Sequence, residues 1–404
     1  MVQNIIVIGG GQAAASLVAK IRQSDTESHI TIVSEENAFP YQRPPLSKKY
    51  ATGEMDAEQL LLRPAEWYEQ NNVNCHLNTK VEQIDRENRR VVISDGNLLS
   101  YDKLAIVTGS RARRLPEDIG GNLEGVYVLR DLADADEFAN EMQSERRVLI
   151  VGGGYIGLEA AAVCASKGLK VTLLEAAPRI LQRVASSETS NWFRELHTQK
   201  GVIIKEGIGL EKLEADKGRV SAAILSDGSR IETDFVLVGI GIVPNMELAE
   251  AAGLEVAGGI KVNEYCQTSD ADIYAAGDCA VFPYRDEMTR LESVQNAIDQ
   301  AECAAENMLG EQKVYKPYPW FWSDQYDVKL QIAGLNRGFD NVVVRPGVRE
   351  GTVSHWYFSN NQFIAVDAMN DPRSYMVGKK ILETGKSVSP DQIADPGLEL
   401  KSLL

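Results

Sequence analysis

The sequence predicts an α/β protein built on two separate parallel sheets, and two observations carry that expectation. A strand, a glycine loop and a helix follow one another twice in the 404 residues, at about 4–22 and 147–167. Each copy then leads into a second apolar strand that ends on a glutamate, Glu35 in the first and Glu175 in the second.

The first copy opens with Asn4-Ile5-Ile6-Val7-Ile8, a continuous apolar run suited to a strand buried on both faces. Gly9-Gly10-Gly11-Gln12-Ala13-Ala14 follows, and helix-forming sequence continues to about Arg22. The second copy reads Arg147-Val148-Leu149-Ile150-Val151, then Gly152-Gly153-Gly154-Tyr155-Ile156-Gly157, then a helix to about Lys167. In such a loop the first glycine turns the chain and the next motif glycine leaves bare backbone for a pyrophosphate. The last lets the helix pack on its strand with its positive end at the phosphates. Ala14 stands at that last position in the first copy and Gly157 in the second. Glu35 and Glu175, 26 and 23 residues after Gly9 and Gly152, supply carboxylates for ribose hydroxyls. Two Rossmann-like dinucleotide-binding units in one chain suit two nucleotides that exchange electrons, a bound flavin and a diffusible nicotinamide cofactor.

The second site is expected to take NADH. Ala176, Ala177 and Pro178 follow Glu175, so no cation stands at once beside the carboxylate to meet a 2′-phosphate, although Arg179 and Arg183 lie on the next segment. Farther on, Ile273-Tyr274-Ala275-Ala276-Gly277-Asp278 reads as a buried strand that delivers a carboxylate, Asp278, suited to the hydroxyls of a flavin ribityl chain.

The formal net charge of −16 argues against nucleic-acid binding, which needs a basic footprint, and against docking on anionic lipid. The five cysteines, Cys75, Cys164, Cys266, Cys279 and Cys303, contain no Cys-x-x-Cys pair. That pattern suits reduced thiols in a cytosolic protein and offers no dithiol centre. Four histidines without ligand spacing predict no metal site. No apolar stretch reaches the ~20 residues of a membrane span. No basic leader precedes the first strand, so a cytoplasmic location is expected.

At this point the chain resembles a known family, the NAD(P)H-dependent flavoprotein reductases of the glutathione-reductase superfold. Within it, the sequence is similar to the bacterial ferredoxin reductases that serve cytochrome P450 and aromatic-ring dioxygenase systems, of the putidaredoxin reductase and biphenyl dioxygenase reductase type. Apoptosis-inducing factor is a more distant similarity. The matching segments are Pro40 to Lys48, Val107 to Arg111, Leu129-Arg130, Gly152 to Glu159, Gly239 to Asn245 and Gly277-Asp278. Two more, Arg290 to Ala297 and Pro319 to Gln325, are distinctive of the ferredoxin-reductase branch.

The resemblance implies FAD and NADH as cofactors and three domains. An FAD domain would comprise 1–113 and 247–320, an NADH domain 114–246, and a C-terminal α/β domain 321–404 would cover the flavin and dock the acceptor. It assigns FAD contacts to Gly9, Gly11, Ala14, Glu35, Arg43, Lys48, Val81, Thr108, Gly109, Arg130, Gly277, Asp278, Val294, Trp320 and Trp322. NADH would meet Gly152, Gly154, Tyr155, Ile156, Gly157, Glu159, Glu175, Arg183 and Gly241. Lys48 and Glu159 are implied to lie together by the flavin N5 and to act in catalysis, with Glu159 on the first helical turn after the second glycine loop. Trp320 and Trp322 are expected to be exposed near the flavin edge.

The implied acceptor is a [2Fe–2S] ferredoxin supplying a P450 or a dioxygenase. Ferredoxins of this kind are acidic. Residues 320–404 hold nine basic and ten acidic side chains, and so carry almost none of the net charge. Lys329, Arg337, Arg373, Lys379 and Lys380 are candidates for a docking patch there. Rubredoxin, another small acceptor, or a redox-signalling role like that of apoptosis-inducing factor are the alternatives.

Overall fold

The computed structural model describes residues 2–404. The chain divides into two compact units, one of residues 1–43, 56–111 and 242–317, the other of residues 44–55, 112–241 and 318–404.

In the first unit, five parallel strands lie in the order Val73–His76, His29–Val33, Asn4–Ile8, Lys103–Ile106, Ile273–Ala275. The second unit repeats the arrangement with Ile203–Glu206, Lys170–Glu175, Arg147–Val151, Phe235–Val238 and Val126–Tyr127, again all parallel. In both sheets the glycine-loop strand is central and the strand order reverses beside it. That reversal opens a crevice at the carboxyl ends of the strands, where open α/β sheets bind ligands.

Close packing explains the first glycine of each motif and the last glycine of the second. Gly9 and Gly152 have φ of +122° and +113°, and a Cβ on either would stand 2.4 and 2.3 Å from a carbonyl oxygen past the neighbouring strand, Val107 and Gly239 respectively. A Cβ on Gly157 would lie 2.0 Å from the Gly152 carbonyl oxygen. The first copy seats Ala14 at the equivalent place, fully buried. The two helices that follow are Gln12–Ser24 and Tyr155–Ser166. Among the described residues no helix is long and apolar enough to cross a membrane.

The second unit also holds a five-stranded antiparallel sheet in the order Trp320–Gln325, Val328–Gly334, Gln362–Met369, Val353–Ser359, Asn341–Pro346. Alternation along Val353–Ser359 sorts its side chains by face. Trp356 and Phe358 join Phe363, Val366, Tyr375 and Ile381 in an apolar core that includes the helix Pro372–Thr384. His355 and Tyr357 point the other way, into a buried polar cluster with Asp367 and with Thr189 of the helix Ser187–Gln199. The Thr189 hydroxyl lies 2.7 Å from His355 Nδ1 and donates to Asp367 Oδ2 at 2.8 Å, and Tyr357 donates to the same carboxylate.

Burial pushes the Asp367 carboxyl up to about 6 and holds the His355 imidazole down to about 4. These shifts act on stability with opposite signs. Asp367 takes its proton in the folded protein before it does in the unfolded chain, so it adds stability as the pH falls from about 6 to about 4. His355 is protonated first in the unfolded chain, so it removes stability as the pH falls from about 6.5 towards 4. Relative to the parent protein, Asp367→Asn should therefore lose thermal stability on acidification through that window, and His355→Gln should gain it. Melting curves for the three proteins at several pH values check this; parallel curves would contradict it. A second test concerns packing: Gly157→Ala should cost about 1–3 kcal/mol, read as a lowered melting temperature, because backbone must move to admit the methyl group.

Candidate active site

The middle glycines of the two loops differ in kind from their neighbours. A Cβ built on Gly11 or Gly154 meets nothing within 4 Å. Each residue is the N-cap of its helix, and neither helix start is capped by a side chain. Open space in front of uncapped N–H groups at a helix's positive end fits a pyrophosphate. Both loops therefore meet the demand that FAD and NADH would make.

At the second loop, Glu175 stands where a ribose carboxylate is needed. Its Oε2 accepts the Gly153 N–H and its Oε1 the Ala177 N–H, both at 2.8 Å. Arg179 is committed elsewhere. Its guanidinium donates to the carbonyls of Ala185 and Ser186 at 2.8 and 3.1 Å and to Ser190, so it braces the segment that follows. Arg183 is exposed, with Nη2 3.7 Å from the position of a Cβ on Gly241. Ile156 is exposed, while Tyr155 is turned inward against Phe321, with ring centroids 5.0 Å apart.

The first loop departs from this pattern by one residue. Strand register pairs Ile8 with Val33 and Val151 with Leu174, so the counterpart of Glu175 is Ser34, not Glu35. Ser34 closes on the loop, since a Cβ on Gly10 would lie 2.2 Å from its Oγ. Glu35 sits one position farther out, 70% exposed and 3.4 Å from Lys80 Nζ, next to Val81. Arg43 is ion-paired with Glu36. Gly277 packs towards the first helix, where a Cβ would meet Ala13 at 3.4 Å, so Asp278 is carried to the loop; Ser110 donates to it at 2.8 Å. Val294 opens the helix Val294–Met308. Thr108 and Gly109 are tied to Asn245, Thr108 Oγ1 donating to its carbonyl at 2.7 Å and its N–H donating to the Gly109 carbonyl at 2.9 Å. Arg130, Lys48, Trp320 and Trp322 belong to the second unit.

Within that second unit the fold brings Lys48 and Glu159 together. Lys48 Nζ is 2.6 Å from Glu159 Oε2, and Glu159 is only 8% exposed. Ser47 donates to the same oxygen at 3.3 Å, and Ser323 Oγ donates to Oε1 at 2.8 Å. Glu159 is the fifth residue of its helix, at the start of the second turn rather than on the first. A carboxylate so buried must be paired, and three donors from two other segments satisfy it. Nothing in the spacing from 48 to 159 to 323 announces this meeting.

Trp320 and Trp322 are half-buried rather than exposed. They lie against each other with centroids 5.6 Å apart, and Trp320 also packs on the C-terminal core, 6.4 Å from Tyr375 and under Lys379 Nζ at 5.2 Å. The cysteines do not approach either glycine loop as a dithiol. Cys266 and Cys303, distant in sequence, are neighbours in the first unit; burial raises the Cys266 thiol, and the hydrogen bond from Cys266 lowers that of Cys303.

Residues 3–301 match the model of the pyridine nucleotide-disulphide oxidoreductase family, and residues 320–404 match that of the reductase C-terminal domain. The chain belongs to this family. It is similar to rhodocoxin reductase of Rhodococcus erythropolis, 42% identical over 98% of this chain and 93% of that protein. To putidaredoxin reductase of Pseudomonas putida it is 38% identical over 99% and 96%. A solved putidaredoxin reductase, crystallised in covalent complex with putidaredoxin, superimposes with a TM-score of 0.96 at 37% identity, covering 99% of this chain and 98% of that one. The protein is a flavoprotein oxidoreductase with FAD and NADH as its cofactors.

The geometry at Glu175 makes a prediction about nucleotide choice. A 2′-phosphate placed ~4 Å from this carboxylate would be repelled by up to ~4 kcal/mol at an effective dielectric of about 20. Glu175→Ala should therefore narrow the ratio of kcat/KM for NADH over NADPH, by ~10²- to 10³-fold. An unchanged ratio would contradict the assignment.

Proposed function

We propose that the protein passes electrons from NADH through FAD to a [2Fe–2S] ferredoxin, which in turn supplies a cytochrome P450 or a ring-hydroxylating dioxygenase. The observation that carries this reading is the near full-length likeness, including the C-terminal domain, to reductases named for rhodocoxin and putidaredoxin. The FAD domain is formed by 1–113 and 247–320, the NADH domain by 114–246 and the C-terminal domain by 321–404, and the protein works in the cytoplasm.

FAD, when bound, supplies the conversion of a two-electron donor into one-electron transfers. The chain supplies binding and electrostatics. The loops at Gly9–Ala14 and Gly152–Gly157 hold pyrophosphates, and Glu35, Asp278 and Glu175 accept hydroxyls. Lys48 presents a positive charge that favours electron density on the flavin, and Glu159 keeps that ammonium in place. A disulfide-reductase chemistry is disfavoured, because no cysteine lies between Glu35 and Cys75, and burial pushes the Cys75 thiol up to about 11.

The acceptor docks on the C-terminal helix. Arg373, Met376 and Lys380 share the outward face of Pro372–Thr384, and Met376 is 60% exposed. Lys329 joins them at one end, since its backbone pairs with Asn370 just before the helix. Lys379 turns instead over Trp320. An apolar centre flanked by cations suits an acidic partner.

Two outcomes are expected. Lys48→Ala should bind FAD normally but be bleached by NADH at least ~10-fold more slowly than the parent; bleaching at the parent rate would remove Lys48 from catalysis. Ferredoxin-dependent turnover should fall as salt is raised, and Arg373→Glu with Lys380→Glu should raise KM for ferredoxin while leaving flavin reduction by NADH unchanged. Turnover indifferent to both would rule out this docking face.

A further inference from the structure

The strand Trp320–Gln325 alternates, and its inward side chains all meet helices of the glycine-loop fold. Phe321 lies against Tyr155, Ser323 reaches Glu159, and Gln325 reaches His197 near the end of the helix Ser187–Gln199. The two polar contacts belong to one continuous chain of four hydrogen bonds. Ser323 Oγ is 2.8 Å from Glu159 Oε1, Gln325 Nε2 is 3.1 Å from Ser323 Oγ, His197 Nε2 is 2.8 Å from Gln325 Oε1, and Tyr326 OH is 3.2 Å from His197 Nδ1. Ser323, Gln325 and His197 are all essentially inaccessible to solvent.

The proton order along this chain is set at one end. The Glu159 carboxylate has no proton to give, so Ser323 must donate to it. The Ser323 hydroxyl has one proton and can then only accept from Gln325, which turns the Gln325 amide nitrogen to Ser323 and its oxygen to His197. His197 must therefore carry its proton on Nε2 and accept the Tyr326 hydroxyl at Nδ1. Burial favours the neutral ring this arrangement needs, lowering the His197 pKa from its ordinary value. Every donor points towards the carboxylate that holds Lys48.

We propose that Ser323 and Gln325 are positioning residues for the redox site, which hold Glu159, and through it Lys48, by a one-directional hydrogen-bond chain anchored on the neutral Nε2–H form of His197. The inference rests on the proposed role of the Lys48–Glu159 pair. It assigns work to two polar side chains of a C-terminal strand, and to a histidine outside every motif. A chain with all its donors aligned stiffens the carboxylate, which is what a lysine held at a fixed place requires.

The test reads the chain directly and then its consequence. In the FAD-loaded protein with labelled histidine, nitrogen and carbon chemical shifts report the tautomer of each of the four imidazoles. The parent should show His197 as a single Nε2–H tautomer. In Glu159→Gln the introduced amide keeps its oxygen on Lys48 and donates its N–H to Ser323. Ser323 then donates to the Gln325 oxygen, whose amide turns over, and His197 should switch to the Nδ1–H form. An unchanged tautomer in this variant overturns the chain. The second reading is flavin reduction by excess NADH in single-turnover mixing. Ser323→Ala should slow it about ten-fold, the loss of one hydrogen bond to a charge, but should slow Glu159→Gln no further. Ser323→Ala at the parent rate, or an equal slowing in both backgrounds, overturns the positioning role. Gln325→Met, close in volume, should slow the parent by a smaller factor and likewise add nothing to Glu159→Gln; equal slowing in both backgrounds counts against the proposal even if Ser323→Ala does not fold. Glu159→Gln reduced at the parent rate would instead defeat the role of the pair itself, while the tautomer still shows whether the chain exists.

Discussion

A carboxylate nine-tenths removed from water is the constraint on which the Lys48–Glu159 pair depends. Glu159 lies on a helix whose register is set by the glycine loop before it, so its side chain has no freedom to escape to solvent. Left unpaired, such a charge would cost several kcal/mol, more than most single contacts return. Lys48, Ser47 and Ser323 relieve that cost, and in doing so they bind the segment 44–55 and the strand Trp320–Gln325 to the helix. The same pairing that makes burial tolerable holds an ammonium at a defined place.

The two parallel sheets show one solution to phosphate binding used twice, with a difference that matters. In both, the first glycine is demanded by a carbonyl on the neighbouring strand, and the N-cap glycine is demanded by nothing in the chain, which leaves its space to a ligand. At the second loop the strand-end residue is Glu175, bonded to the loop's own backbone. At the first it is Ser34, and the glutamate stands one residue beyond, open to solvent.

Much of this was legible in the sequence, and the limits have physical causes. The strands at Asn4–Ile8 and Arg147–Val151 and the helices after them follow from uninterrupted apolar runs and glycine spacing, because buried parallel strands leave that composition behind. The Lys48–Glu159 pair came from family resemblance, since residues 48 and 159 meet only through tertiary folding. The exposure of the tryptophans was misjudged, as alternation along Trp320–Gln325 places Trp320 on the C-terminal helix, which only the sheet pairing reveals. Asn245 and the series Ser323, Gln325, His197 carried no role beforehand. For Ser323 and Gln325 a signal did exist: two polar side chains on the same face of a strand as Phe321, where an apolar pattern would have been enough.

NADH-driven reduction of cytochrome c by the FAD-loaded protein, with and without an added [2Fe–2S] ferredoxin, asks whether electrons travel from NADH to a one-electron protein acceptor. Reduction should be slow without ferredoxin and increase greatly when it is added. Fast bleaching of the flavin by NADH with no increase for any of several ferredoxins would contradict it and leave rubredoxin, another small acceptor or a signalling role.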